Sequence, residues 1–146
     1  KNEKKKLIEG IKIFEKLIPN KSKILFETDF TPTENLKFIK NFNSKKFGLN
    51  YDTGNSAHLG NNVKSEMRVF YEYIDNIHIK DRKKNKTTTN LGKGDFDFNF
   101  FFKFIKSKKY SKNLILQTAR SHNNRHLDLL KKNRSFINSF INEFKT

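Results

Sequence analysis

The chain has 146 residues, a length that fits one compact domain. It contains no cysteine, which excludes disulfides, a thiolate nucleophile and a thiolate metal site, and which fits a cytoplasmic protein. No apolar run reaches the roughly 18 residues that a membrane-spanning helix needs, so we expect no membrane partner.

The formal net charge of +16 by itself would favour a nucleic-acid partner. Only five of the 31 basic residues are Arg, however, and Ala occurs only twice. This bias towards Lys, Asn, Ile and Phe is typical of an AT-rich genome whose codon usage shapes a solvated surface. A dedicated nucleic-acid binder would use more Arg for bidentate contacts with phosphates and bases. We therefore expect no nucleic-acid partner.

The pattern of apolar residues predicts helices that alternate with strands along the chain. An amphipathic helix is predicted over residues 3 to 18, where Pro19 ends it. Strands are predicted over residues 24–27, 47–52, 75–80 and 113–118. Four further helices are predicted. They begin at Pro32, at Asn62, at either Asp95 or Asp97, and at about His126, and the last of them runs to Phe144. Polar loops are expected over residues 53–62 and 81–95.

Four successive strand–helix units predict an α/β fold with parallel strands and right-handed crossovers. Longer polar loops follow the strands and shorter ones precede them, which favours a (β/α) barrel with its site at the strand C-termini. A complete barrel needs eight units and about 250 residues. We expect residues 1–146 to form a single partial barrel domain whose other half is absent. Four strands alone leave two open sheet edges, so we also expect low stability or a homo-oligomer.

Each of the four predicted strands carries, at its C-terminus or within two residues of it, a polar residue of a type that binds metals: Glu27, Asp52, His78 and Gln117. The C-termini of parallel strands meet at one edge of a sheet, which would bring the four side chains together. Two carboxylates, one imidazole and one amide oxygen suit Mn²⁺, Mg²⁺ or Zn²⁺. The alternative is that Glu27 and Asp52 cap the following helices and His78 is an ordinary buried histidine.

Several short motifs occur in one order along the chain. After the strand-end Glu27 come Tyr-Asp-Thr-Gly-Asn at 51–55, Ile-His-Ile-Lys-Asp at 77–81, Leu-Gly-Lys-Gly-Asp-Phe-Asp-Phe at 91–98 and Leu-Gln-Thr-Ala-Arg at 116–120. This series resembles the C-terminal half of the xylose-isomerase-like TIM barrels, and most of all the sugar-phosphate isomerases and epimerases of the hexulose-phosphate type. The resemblance implies that the chain supplies the last four units of a (β/α)8 barrel, preceded by one helix.

The resemblance also implies a function. A divalent metal, Mn²⁺ or Mg²⁺ with Zn²⁺ or Co²⁺ as alternatives, would be held by the positions that match Glu27, Asp52, His78 and Gln117. Glu27 would be the catalytic base that moves a proton through an enediolate of a ketose or ketose phosphate. Gln117 stands where the family has a second Glu, and an amide cannot take up a proton. A two-base epimerase is therefore in doubt, whereas a one-base isomerase, a lyase or a dehydratase is not.

Further residues beside the strand ends are candidates for substrate binding. Asn55 and His58 follow Asp52 closely and are predicted to contact substrate or metal. Lys80, Arg82 and Arg120 follow strand ends and are predicted to face a substrate phosphate, with solvated loop charge as the alternative. Gly92-Lys93-Gly94 precedes a helix, where its backbone N–H groups would bind an anion or simply form a tight turn.

Two other functions stay open. One is an apurinic endonuclease of the same superfamily, but that resemblance would require His in place of Asn55 and Asp-Arg-His in place of Asp81-Arg82-Lys83. The other is an inactive, metal-binding half-barrel.

Overall fold

The computed structural model describes residues 2–121 and 123–142. The helices are α1 (Asn2–Glu15), α2 (Pro32–Ile39), α3 (Thr53–Leu59), α4 (Val63–Phe70), α5 (Phe98–Ser107) and α6 (His126–Asn142). The strands are β1 (Ile24–Phe26), β2 (Phe47–Asp52), β3 (Ile74–Ile79), β4 (Asp81–Arg82), β5 (Thr88–Thr89) and β6 (Asn113–Leu116). A 3₁₀ turn, Tyr71–Tyr73, joins α4 to β3.

The main sheet has four strands in the order β1-β2-β3-β6, and every neighbouring pair is parallel. This confirms the predicted α/β fold, in which a helix or helices connect each strand to the next. Asp52 at the end of β2 is paired in register with His78 in β3, so their side chains start at the same height in the sheet. The register between β2 and β3 shifts after Leu49, which brings the ends of the two strands level.

The hydrophobic core lies between the sheet and the helices. Ile77 and Ile79 of β3 are fully buried there, and so are Phe101 and Phe102 of α5. Because side chains alternate along a strand, the opposite face of β3 carries His78. That inner face is polar near the strand ends and is the face that positions the candidate site.

Capping side chains set where the helices begin. Thr31 and Glu34 form a capping box at α2, with Pro32 in the first turn, as the sequence predicts. Asp97 rather than Asp95 caps α5, since its side chain accepts a hydrogen bond from the N–H of Phe100.

Several predicted boundaries or loops are wrong; β6, for example, ends at Leu116, two residues before the predicted end, so Gln117 follows the strand. Residues 53–59 form α3, because the Asp52 side chain caps a helix directly at the strand end, and Gly60 at φ +70° closes it. The polar loop 81–95 contains an antiparallel ribbon, β4 with β5. α1 ends at Glu15, one turn before the predicted residue 18. The end of the last helix at Phe144 lies outside the described residues.

Large apolar side chains are exposed near both ends of the chain. Leu7, Ile13 and Phe14 are exposed on α1, Leu17 is exposed just after it, and Leu127 and Leu130 are exposed on α6. α1 precedes β1 along the chain and α6 follows β6, and these two strands have only one neighbour each in the described sheet. Of the helices that the structure describes, none has the length and apolar character to cross a membrane.

Candidate metal site

Three of the four predicted ligands come together at the C-terminal edge of the sheet. Glu27 directly follows β1, Asp52 ends β2, and His78 lies near the end of β3. One ligand atom from each lies within 4.8 Å of the other two, and His78 Nδ1 is 3.3 Å from Glu27 Oε2. A single ion bonded at about 2.0–2.6 Å to each of three atoms requires this spacing.

Asp52 supports a cation at this place. Its Oδ1 accepts a hydrogen bond from the N–H of Asn55, which is the cap of α3. Its Oδ2 is buried and has no hydrogen-bond partner in the described part of the chain. A buried carboxylate oxygen without a partner is costly unless a cation is close. Helix capping therefore accounts for only one oxygen of Asp52, and the other lies 3.5 Å from the Lys80 ammonium. Two carboxylates and one imidazole are a donor set that fits a divalent metal.

Gln117 joins the group only indirectly. Its Oε1 accepts a hydrogen bond from Lys80 Nζ at 3.1 Å, and the same ammonium nitrogen lies 3.5 Å from Asp52 Oδ2. Lys80 thus stands between Gln117 and Asp52. The sequence predicts that Lys80 faces a substrate phosphate, whereas in the structure its ammonium group lies beside Asp52 and Gln117.

Thr53 and Gly54 position Lys80: Thr53 binds its backbone, and Gly54 leaves space for its side chain. Thr53 Oγ1 accepts a hydrogen bond from the Lys80 N–H at 2.9 Å and lies 2.5 Å from the Lys80 carbonyl oxygen, to which it donates. A Cβ on Gly54 would lie 2.6 Å from Lys80 Cγ, so only glycine leaves room for the lysine stem. The Asp-Thr-Gly turn therefore places the carboxylate and the ammonium together.

Two predicted substrate-binding residues form a chain that leads to Glu27. Asn55 Nδ2 donates to Glu27 Oε1 at 3.1 Å, and Arg82 Nη1 donates to Asn55 Oδ1 at 3.4 Å. Arg82 Nε also donates to the Lys86 carbonyl, which holds the ribbon. Both residues reach the site, but through Glu27 rather than through an open anion pocket.

The side chains of the other two predicted substrate residues make no hydrogen bond or ion pair with this group in the described part of the chain. His58 is half-buried near the end of α3, and its Nδ1 is buried without a hydrogen-bond partner in the described residues. Arg120 is exposed in the segment that follows β6.

The glycine-rich segment binds an anion that belongs to the chain itself. Asp81 is fully buried, and its Oδ2 accepts hydrogen bonds from the N–H groups of Gly92 and Gly94 at 2.9 and 2.8 Å. Burial raises the pKa of Asp81, while these backbone hydrogen bonds act in the opposite direction. Asp81 thereby ties the loop after His78 to the end of the sheet.

Two residues of the site were not predicted from the sequence. Asn50 and Asn76 lie on the inner face of β2 and β3, and Asn76 Nδ2 donates to Asn50 Oδ1 at 2.6 Å. Asn50 Nδ2 in turn donates to Glu27 Oε2. The alternation along each strand was the available signal, since Asn50 shares a face with Asp52, and Asn76 shares one with His78.

The sequence of residues 8–140 matches the family described as xylose isomerase-like TIM barrel. Among solved structures, the fold is similar to a xylose isomerase domain protein from Planctomyces limnophilus, with TM-score 0.67 and 19% identity over 78% of this chain and 44% of that one. It is similar to an L-ribulose 3-epimerase, with TM-score 0.63 and 22% identity over 85% of this chain and 47% of that one. It is also similar to the 3-keto-D-glucoside 4-epimerase of E. coli, with TM-score 0.62 and 14% identity over 90% and 53%.

The chain thus spans about half the length of the solved structures that it matches. No curated protein matches its sequence significantly.

Proposed function

The chain belongs to the xylose isomerase-like TIM barrels, and on that premise we propose that it carries the metal site of a divalent-metal-dependent isomerase or epimerase of a ketose phosphate. The observation that supports this most is the cluster of Glu27, Asp52 and His78, whose ligand atoms lie within 4.8 Å of one another. The epimerases among the similar structures support a sugar as the substrate class.

Glu27, Asp52 and His78 would hold the metal, with the amide oxygen of Gln117 as a fourth ligand. When bound, a divalent ion would stabilise the negative charge that develops on the substrate oxygens. Asp52 brings a buried oxygen that accepts no hydrogen bond in the described residues and whose nearest cation is Lys80, and His78 brings an imidazole nitrogen from the same register of the sheet.

Glu27 is the residue that we assign to proton transfer. Its side chain is 38% exposed, so a substrate carbon has access to it, whereas the Asp52 side chain is completely buried. Both of its oxygens accept hydrogen bonds, one from Asn50 and one from Asn55, and these fix the plane of the carboxylate. One carboxylate suffices to move a proton between neighbouring carbons on one face of an enediolate.

Three basic residues are the candidates for binding the phosphate group of the substrate. Lys80 and Arg82 lie around the site, and Arg120 lies in the exposed segment after β6. Arg suits a phosphate because its guanidinium offers two parallel donors. Lys80 and Arg82 would have to exchange part of their present hydrogen bonds for such a contact.

The proposal is tested in two steps on the 146-residue chain. Calorimetric titration with Mn²⁺, Mg²⁺, Co²⁺ and Zn²⁺ should show one site in the parent and a greatly weakened site in Asp52→Asn. NMR in deuterated water should then show exchange of a carbon-bound hydrogen in a panel of ketoses and ketose phosphates. Metal binding without any exchange would favour the inactive, metal-binding half-barrel, and cleavage of abasic DNA would favour the endonuclease.

A further inference from the structure

Glu66 is a buried carboxylate that the proposed function does not use. It lies on α4 and is 3% exposed. Its Oε2 accepts hydrogen bonds from Tyr51 Oη at 2.6 Å and from Ser56 Oγ at 2.5 Å, and its Oε1 accepts one from Asn61 Nδ2 at 2.9 Å. A buried carboxylate is costly unless hydrogen bonds satisfy it, and bonds to an ionised acceptor are the stronger kind. These three contacts therefore hold their donors firmly.

The two hydroxyl groups belong to the two ends of one short segment, residues 51–56, which we call the β2–α3 junction. Tyr51 directly precedes Asp52 in β2, and Ser56 directly follows Asn55 in α3. Both hydroxyl-bearing residues are buried. A single carboxylate oxygen thus ties the two ends of the junction together, and the residues between these ends are the ones that reach the candidate site.

The middle of the β2–α3 junction positions two residues of the site. Asp52 Oδ1 accepts a hydrogen bond from the N–H of Asn55, and Asn55 Nδ2 donates to Glu27 Oε1 at 3.1 Å. α3 has only seven residues, and a helix this short has little stability of its own, so its place depends on tertiary contacts. A shift of α3 would break the Asp52 cap and move Asn55 away from Glu27.

We propose that Glu66 is a positioning residue, which holds the β2–α3 junction from the side of α4 and thereby sets where Asp52 and Asn55 meet the candidate metal site. α4 carries none of the four candidate ligands. Its Met67 and Phe70 are buried in the core, so the carboxylate is fixed to a rigid support. Groups beyond the ligands that orient them in this way affect metal affinity strongly.

Two variants separate positioning from packing. Glu66→Met keeps the length of the side chain and removes every acceptor, which leaves the Tyr51 and Ser56 hydroxyls unsatisfied and should lower the stability. The triple variant Tyr51→Phe, Ser56→Ala, Glu66→Met removes the hydroxyls as well. Apolar groups in place of both partners should regain much of the stability, while the junction stays untied. Glu72→Met is the matched control, because Glu72 is exposed just beyond α4.

The first test needs no metal and no substrate. Amide hydrogen exchange, followed by NMR, compares the N–H of Asn55, which bonds to Asp52, with the N–H of Phe101, which bonds to the Asp97 carbonyl at the start of α5. In Glu66→Met and in the triple variant, we expect exchange at Asn55 to rise by about tenfold more than exchange at Phe101. Exchange that rises equally at both amides, or at neither, overturns the inference.

The second test measures Mn²⁺ affinity by calorimetry, and it rests on the proposed metal site. Glu66→Met and the triple variant should both bind Mn²⁺ about 10- to 100-fold more weakly than the parent, the usual effect of losing a group that orients metal ligands. Glu72→Met should bind it like the parent. Thermal melts of the same samples measure stability. A triple variant that regains both stability and the parent's affinity overturns the inference, because Glu66 would then act on stability alone.

Failure of this inference and failure of the proposed function give different results. If the parent binds no Mn²⁺ but exchange at Asn55 responds as expected, the proposed function fails, whereas the role of Glu66 at the junction is supported. If the parent and all the variants bind Mn²⁺ equally, the metal site stands and the inference fails. If Glu66→Met does not fold, the triple variant carries both tests.

Discussion

Lys80 holds its ammonium nitrogen 3.5 Å from Asp52 Oδ2, a buried oxygen that accepts no hydrogen bond in the described residues. The lysine is therefore the internal cation of the site. Any metal ion that binds Asp52 must compete with the Lys80 ammonium. Lys80 should therefore lower the affinity of the site for metal, besides any contact that it makes with substrate.

We predict that Lys80→Met binds Mn²⁺ more tightly than the parent. The attraction between unit charges 3.5 Å apart is about 1–5 kcal/mol for effective dielectric constants between 80 and 20. Even the lower value corresponds to an increase in affinity of about five- to tenfold, measurable by calorimetry.

The same substitution should lower the free energy of unfolding without metal, because it leaves a buried carboxylate unpaired. Added Mn²⁺ should restore it. Lys83→Met, at an exposed position of the ribbon, is the control for loss of charge. Unchanged or weaker Mn²⁺ binding in Lys80→Met would show that the ammonium does not compete.

Apolar side chains are exposed on α1 and just after it. Ile13 of α1 and Leu17, two residues beyond the end of the helix, are 70% and 73% exposed. Patches of this kind drive association, so we predict that the chain self-associates at micromolar concentration. Replacing both residues with Ser should shift the mass measured by light scattering towards the monomer. Lys12→Ser on the same helix should not. A monodisperse parent monomer would contradict the prediction.

Much of the fold could be predicted because the period-2 pattern is clear in the strands. Ile77 and Ile79 face the helices and His78 faces the inner side, as the alternation requires. The strand-end positions of Glu27 and Asp52 followed from the same pattern. α3 was missed because its Gly, Asn and Ser content is typical of a loop, whereas the Asp52 cap overrides that propensity.

The position of Gln117 could not be predicted, since it depends on where a long side chain of a neighbouring strand goes. Lys80 reaches Gln117 Oε1 only because Gly54 leaves space for its stem. Such a contact joins three strand ends and has no signature in the local sequence. The binding of Asp81 by the backbone of Gly92 and Gly94 could not be predicted for the same reason, because these residues come together only in the folded chain.

Asp81 gives a prediction about pH. Burial raises its pKa above the ordinary value, so the folded state favours the protonated carboxyl more than the unfolded state does. Its contribution to stability is therefore fully present below the unfolded pKa of about 3.9 and is lost as pH rises through the higher folded pKa. The difference in unfolding free energy between the parent and Asp81→Asn should shift against the parent over that range, as measured by urea melts.

The control for Asp81 is Asp29→Asn, which removes a carboxylate from an exposed position. A difference between parent and Asp81→Asn that stays constant with pH would show that Asp81 acts only through its hydrogen bonds to the glycine-rich loop.

The last prediction concerns proton transfer. Glu27→Gln keeps the size of the side chain and retains one oxygen as an acceptor, but it removes the base. General base catalysis typically contributes about 10²–10⁴-fold, so exchange of the substrate's carbon-bound hydrogen with deuterated water should slow by at least that factor. Glu34→Gln is the matched control, because the Glu34 carboxylate hydrogen-bonds to Thr31 in the capping box of α2 and to none of the candidate ligands. NMR on the protein with Mn²⁺ and a ketose phosphate measures both rates.

Gln117→Glu complements this experiment. It introduces a carboxylate at the position where the resemblance to sugar-phosphate isomerases and epimerases implies a second Glu; the present Gln117 Oε1 lies 3.1 Å from the Lys80 ammonium. Metal binding should persist, because a carboxylate oxygen replaces an amide oxygen. Exchange should stay the same or rise, since a second base becomes available. If Glu27→Gln exchanges the substrate hydrogen as fast as the parent, Glu27 is not the base. If the parent itself exchanges slowly and Gln117→Glu exchanges faster, the proton is transferred on the side of the site where residue 117 lies.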